Sequence, residues 1–161
     1  MDYIEMAIQI ETDGETFYKE QADKYEGKEI SKVFRLLSNE ERKHRELLEN
    51  FSKKIDYTIP EAKEEIDFDY LFKNEEDFKI DTETDPKQID VYRFALQKEN
   101  ESIELYNKMR ELAKDDEERV LLDFLIKQEQ NHYKLFNNIV ELLRKAEEWV
   151  ESAEFGIREE Y

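Results

Sequence analysis

The chain predicts an all-α protein, an antiparallel four-helix bundle with a long crossover between the second and third helices. Three observations predict it. Only three glycines and two prolines interrupt 161 residues, and both prolines, Pro60 and Pro86, fall in one central stretch. Four segments place apolar residues at alternating three- and four-residue spacing, the period of a bundle seam. One pattern also occurs twice at an offset of 88: a glutamate, a tyrosine seven residues on, and Glu-x-x-His thirty residues on.

The first helix should begin at Asp2, an N-cap with Glu5 three residues later, and run to about Tyr25. Its inner seam reads Ile4, Ala7, Glu11, Gly14, Tyr18, Gln21, Tyr25. Gly27 is expected as the C′ residue. The short connection makes the second helix, about 28–52, an antiparallel neighbour. That helix reads Ile30, Phe34, Leu37, Glu41, His44, Leu48, Phe51.

The stretch from Lys53 to Lys87 holds 12 acidic and 6 basic residues. It also holds Tyr57, Ile66, Phe68, Tyr70, Leu71, Phe72 and Phe78, too many large apolar side chains for a free linker. It reads as a crossover (about 53–85) with one or two short helices packed on the bundle. Asp85, Pro86 and Gln88 form a start signal of N-cap, N1 and N3 for the third helix, expected to run to about Lys114. Its seam is Tyr92, Ala95, Glu99, Ser102, Tyr106, Met109, Ala113. Asp115 or Asp116 should cap a fourth helix over about 117–151, with the seam Leu122, Leu125, Glu129, His132, Phe136, Ile139. The tail, 152–161, takes no assignment. One domain over residues 1–161 is the simplest organisation at this length.

Composition narrows the function classes. A net charge of −18 argues against nucleic acid and anionic lipid as partners. The absence of cysteine excludes disulfides, iron–sulfur clusters and thiolate iron sites on this chain, and fits a reducing compartment. No apolar run approaches the ~20 residues of a membrane span, and no basic-then-apolar leader opens the chain. A cytoplasmic protein is expected.

Glutamate falls on the inner seam of all four helices. A carboxylate in a bundle core is costly unless paired or bound to metal. Four at one level repel if all are ionised. Two divalent cations bring +4, which matches four carboxylates with neutral imidazoles. A histidine three residues after a glutamate lies on the same helix face, so one helix supplies both an oxygen and a nitrogen donor. Glu11, Glu41, His44, Glu99, Glu129 and His132 are therefore the candidate metal ligands, two Glu helices and two Glu-x-x-His helices. Carboxylate and imidazole without thiolate suit iron or manganese, and zinc fits as well. Glutamate makes up 30 of the 161 residues, so a single such match is cheap, whereas four specified positions match by chance about once in a thousand. Tyr18 and Tyr106, two turns along their seams, are either core or partners to a ligand carboxylate on a neighbouring helix. Glu15, Glu40 and Glu104 fall out of phase and read as solvated helix-face residues.

The segments IETDGETFY, SNEERKHRELL, LQKENESIELY and LIKQEQNHYKLF resemble the rubrerythrin family of the ferritin-like superfamily. The resemblance covers all four helices. It implies two iron ions held by the six residues, with Glu41 and Glu129 as bridges. It implies reduction of hydrogen peroxide or oxygen, with electrons from an external donor such as a rubredoxin-like protein. The chain departs from the family twice. It carries no cysteine-rich rubredoxin domain. The extra glutamate that the family places one turn after the third-helix ligand is Ser102 here, and its repeat counterpart is Gly14. Small residues at both places leave open space beside the metals for a small oxidant, and bring the site closer to symmetric ferroxidase types.

The leading expectation is thus a non-haem di-iron oxidoreductase. Its rivals are ferrous oxidation with iron storage or transfer, and a metal-binding bundle without catalysis. Related bundles often pair, so a homodimer is compatible with the resemblance, although no seam demonstrates one.

Overall fold

The computed structural model describes residues 2–60 and 87–159. Among the described residues there are four helices: α1 (Tyr3–Lys24), α2 (Glu29–Ser52), α3 (Gln88–Glu111) and α4 (Asp116–Glu159). α1 pairs with α2 and α3 with α4, and the two hairpins meet along α1 and α3. This is the antiparallel four-helix bundle that the seams predict. Among the described residues, no helix is long and apolar enough to cross a membrane.

Local chemistry sets the helix ends. The Asp2 carboxylate accepts the Glu5 N–H at 2.8 Å and caps α1. Gly27, expected at C′, instead lies two residues past the cap residue Tyr25, at φ 91°. It occupies the third position of a turn closed by Lys28 N–H to the Tyr25 carbonyl at 3.0 Å, a place that needs positive φ. The buried Ser31 hydroxyl then donates to the Ala22 carbonyl at 2.6 Å and fastens α2 to the end of α1. α2 ends in a Schellman pattern: Ile55 N–H to Asn50 O at 2.9 Å and Lys54 N–H to Phe51 O at 3.2 Å. Lys54 takes the left-handed position there, at φ 57°.

α3 stops at Glu111, short of Lys114, because its last turn tightens. Leu112 N–H reaches both Lys108 and Met109 carbonyls, and Ala113 N–H the Arg110 carbonyl. Of the two aspartates offered as caps for α4, Asp115 serves, accepting Glu118 N–H at 2.9 Å. α4 runs to Glu159 rather than ending at 151. Ser152 to Phe155 hold no breaker, and Gly156 alone costs a helix only about 1 kcal/mol. The Asp85–Pro86 start signal and most of the crossover lie outside the described residues.

The core is in two parts. One apolar cluster holds Tyr18, Phe34, Leu37, Tyr92, Phe136 and Ile139; the other holds Ala7, Leu48, Tyr106, Met109, Leu122 and Leu125. α1 and α4 run from the second cluster to the first, and α2 and α3 the opposite way. α2 therefore ends at one end of the bundle and α3 starts at the other. The connection must travel the length of a 24-residue helix, about 36 Å. Between the clusters lies a polar layer: Glu11, Glu41, His44, Glu99, Glu129 and His132, none more than 3% exposed.

Candidate metal centre

Each helix delivers its polar residues to this layer through its own seam. In α2, Leu37 and Leu48 bracket Glu41 and His44; in α4, Leu125 and Phe136 bracket Glu129 and His132. The apolar neighbours leave these side chains no route to solvent, so they face one another. All six residues singled out from the sequence meet here.

They form two overlapping donor groups. Glu11, Glu41, His44 and Glu129 place one ligand atom each within 4.8 Å of one another, and so do Glu41, Glu99, Glu129 and His132. Glu41 and Glu129 belong to both, the position a bridging carboxylate takes. His44 Nδ1 lies 3.0 Å from Glu129 Oε1 and 3.6 Å from Glu11 Oε2. His132 Nδ1 lies 3.0 Å from Glu41 Oε1 and 3.4 Å from both Glu99 Oε1 and Glu129 Oε2. The imidazoles are near-parallel, with ring centres 5.9 Å apart. Each histidine thus turns Nδ1 towards carboxylates of both hairpins.

The tyrosines cross between hairpins. Tyr18 of α1 donates its hydroxyl to Glu99 of α3, and Tyr106 of α3 donates to Glu11 of α1, both through short hydrogen bonds. The 88-residue repeat makes these two bonds equivalent. Each fixes one oxygen of its carboxylate and leaves the other to the layer.

The electrostatics fit a cation site. Burial pushes the Glu41 and Glu129 carboxyls well above the usual range, and the charges of the neighbouring carboxylates push them further. Burial also opposes ionisation of Glu11, but the charge and contact of His44 outweigh it and carry Glu11 down to about 2. The converse acts on His44: burial lowers it, and Glu11 more than compensates, raising it to about 10. Glu99 is lowered despite burial by contacts with Glu129, His132 and Tyr18. With protons alone to balance the layer, two carboxyls stay neutral and the imidazoles carry the positive charge. Divalent ions would replace those protons. Among the described residues, Glu11 Oε2, Glu41 Oε1, Glu99 Oε2 and Glu129 Oε2 are buried yet accept no hydrogen bond. Four convergent oxygens of this kind are unfavourable in a core and suited to metal.

The two small residues sit where the sequence places them. A Cβ added at Gly14 would come within 2.8 Å of Glu41 Oε2. Ser102 is buried, its hydroxyl turned back on the Lys98 carbonyl at 3.2 Å. Between them lies a cavity of about 30 Å³ reaching Glu41 and Glu99, with Lys98 and Asp13 also on its wall. That is room for one molecule of about the size of water.

Glu40 corrects the sequence reading. Read there as a solvated residue, it leaves only 12% of its side chain exposed and accepts a short hydrogen bond from His132 Nε2. The signal lay in a second row at seven-residue spacing, Val33–Glu40–Leu47, whose flanking members are both buried. Glu104 is exposed as expected, whereas Glu15 is part-buried where α1 meets α2. Glu15 pairs with Arg45 at 3.0 Å, and Glu104 accepts from Asn100 at 3.2 Å.

An uncharacterized protein of Archaeoglobus fulgidus is 44% identical over 59 residues, 35% of this chain and 92% of the relative. A hypothetical protein from Pyrococcus furiosus superimposes with a TM-score of 0.65 over 89% of each chain, and at 24% identity that likeness concerns the fold. The rubrerythrin family matches residues 2–140, which span all four seams and all six buried donors, and the chain belongs to that family.

Proposed function

We propose that this protein is a non-haem di-iron oxidoreductase that reduces hydrogen peroxide or oxygen with electrons from an external donor. The observation that carries the reading is the pair of donor groups sharing Glu41 and Glu129 beside a cavity of about 30 Å³. Glu11 and His44 would complete one iron position, Glu99 and His132 the other. Bound there as a ferrous pair, iron would supply the two electrons that, with two protons drawn from solvent, reduce peroxide to two waters, and a rubredoxin-like protein would return the electrons.

The protein's part is positioning and exclusion. Tyr106 and Tyr18 hold Glu11 and Glu99 from the opposite hairpin, so the terminal carboxylates keep their orientation. The apolar clusters on either side keep bulk water from the layer. Gly14 and Ser102 keep about 30 Å³ open next to Glu41 and Glu99, a water-sized foothold from which a small oxidant would approach the layer. Manganese or zinc would suit the same donors but would not support this cycle equally.

The test is an anaerobic ferrous titration of metal-free protein, followed by one addition of peroxide. Two irons per chain and rapid near-ultraviolet absorption on oxidation are expected. One iron or none would refute a di-iron site. Steady peroxide turnover with reduced rubredoxin no faster than with free ferrous iron would refute the peroxidase reading.

Ferrous oxidation for storage or transfer is the second reading. It is favoured by Ser102 and Gly14, small residues at symmetric places where the peroxide-reducing relatives tend to carry a glutamate on the third helix. Mass under native conditions separates the two: a 24-subunit particle supports storage, and a dimer speaks against a self-assembled cage.

A further inference from the structure

Besides Gly14 against Ser102, the repeat that builds the metal layer is broken at the residues just before Glu41 and Glu129. Residue 40 is glutamate and its counterpart, residue 128, is glutamine. Both are drawn inward: Gln128 is 8% exposed, and the Glu40 side chain 12%. Glu40 Oε2 accepts the N–H of His132 Nε2. Once a metal ion takes the place of the Nδ1 proton, that bond fixes the tautomer: the proton stays on Nε2 and the Nδ1 lone pair, facing Glu41, Glu99 and Glu129, is the donor. A carboxylate behind an imidazole also makes the imidazole a stronger donor. The other half has no carboxylate at the equivalent place. There a neutral amide occupies position 128, and the His44 ring meets the edge of Phe124 at 6.2 Å between centres.

We infer that Glu40 is a positioning residue that makes the two metal positions inequivalent, the His132 position binding its ion more tightly than the His44 position. This rests on the dimetal reading above. Its consequence is directional: the His132 side keeps its ion, and the His44 side is the one that loads last and releases first.

The experiment titrates metal-free wild type and Glu40→Gln with cobalt(II), which reports each position by absorption and by paramagnetically shifted imidazole N–H proton signals. Glutamine keeps the volume and a hydrogen-bond acceptor but removes the charge. Thermal unfolding of both metal-free proteins checks that the fold is intact. In wild type, two ions of distinguishable affinity are expected. In Glu40→Gln the tighter one should weaken by about 10- to 100-fold, and one of the two N–H signals should shift while the other stays. Equal weakening of both ions, or of neither, would overturn the inference, as would N–H signals that both move or both stay. Failure of wild type to bind any metal would be a different result, ending the dimetal reading itself.

Discussion

Gly14→Ala separates what the layer needs for folding from what it needs for metal. Gly14 lies inside α1, where alanine is favoured over glycine by about 1 kcal/mol. The new Cβ would lie 2.8 Å from Glu41 Oε2, 3.3 Å from its Cδ and 3.4 Å from its Cγ. Ordinary contact starts at 3.4 Å, so the carboxylate must withdraw by about 0.6 Å. Without metal this is cheap, since the atom in the way is the far end of a side chain. The helix gain should then dominate, raising Tm by about 2–4 °C for a chain of this size. With metal it is not cheap. Metal–ligand distances tolerate only about 0.2 Å, and Glu41 belongs to both donor groups. Affinity for both ions should therefore fall, by about 10-fold or more. Circular dichroism melting of the metal-free protein and anaerobic ferrous titration read the two effects. Wild-type affinity in the alanine variant would refute the bridging role of Glu41. A metal-free Tm lowered by several degrees would show that Glu41 is already locked in place by its protein neighbours.

Tyr18→Phe and Tyr106→Phe each remove the donor to a buried carboxylate, costing the metal-free protein about 1–3 kcal/mol and metal affinity about 10- to 100-fold. Denaturant unfolding and ferrous titration check both; full affinity in both variants would reduce the tyrosines to core filling. Glu41→Ala and His44→Ala should lower metal occupancy far more than helix content, read by elemental analysis beside far-ultraviolet dichroism; complete loss of helicity would show that binding and folding are one event. Metal at about a hundred times its dissociation constant should stabilise the fold by about 2.7 kcal/mol. That is a rise in Tm of roughly 5–10 °C, and superimposable melts with and without chelator would contradict a site in the folded core.

Much of this site is legible in the sequence, because its constraints are periodic. A glutamate on a seam is a contradiction in a simple core, and four of them with two histidines admit few resolutions. The bundle followed from the same spacing, since Leu37 and Leu48 bracket Glu41 and His44 as they would bracket leucines. What escaped was off the seam. Glu40 lies one position round the helix from Glu41, and a single stripe assigns it to solvent. Only packing against α4 shows that a flanking row, Val33 and Leu47, is also buried. Helix ends escaped for a related reason. Gly27 marks a position of positive φ, but whether that is a C′ residue or the third place of a turn depends on the Lys28–Tyr25 hydrogen bond. The far end of α4 was hidden by weak stop signals, a lone Gly156 being too slight to end a helix.

Neither hairpin owns a complete donor group. Glu11, Glu41 and His44 of the first need Glu129 of the second; Glu99, Glu129 and His132 of the second need Glu41 of the first. The tyrosine bonds cross in the same way. A half of the repeat on its own would bury two carboxylates with a single imidazole and leave its donor group incomplete, so the layer is favourable only when two halves close on it. This accounts for the two apolar clusters being kept apart: each fastens the hairpins at one end of the bundle, and the polar layer is clamped between them. It also explains why departures from the repeat are informative. Where both halves must meet the same geometric demand, at the glutamates, the histidines and the tyrosines, the residues are identical. Where they differ, at Glu40 against Gln128 and at Gly14 against Ser102, the two sides of the layer are free to do different things. The difference at residue 40 falls behind a histidine and bears on how firmly an ion is held. The difference at residue 14 falls beside the cavity and bears on what can reach it.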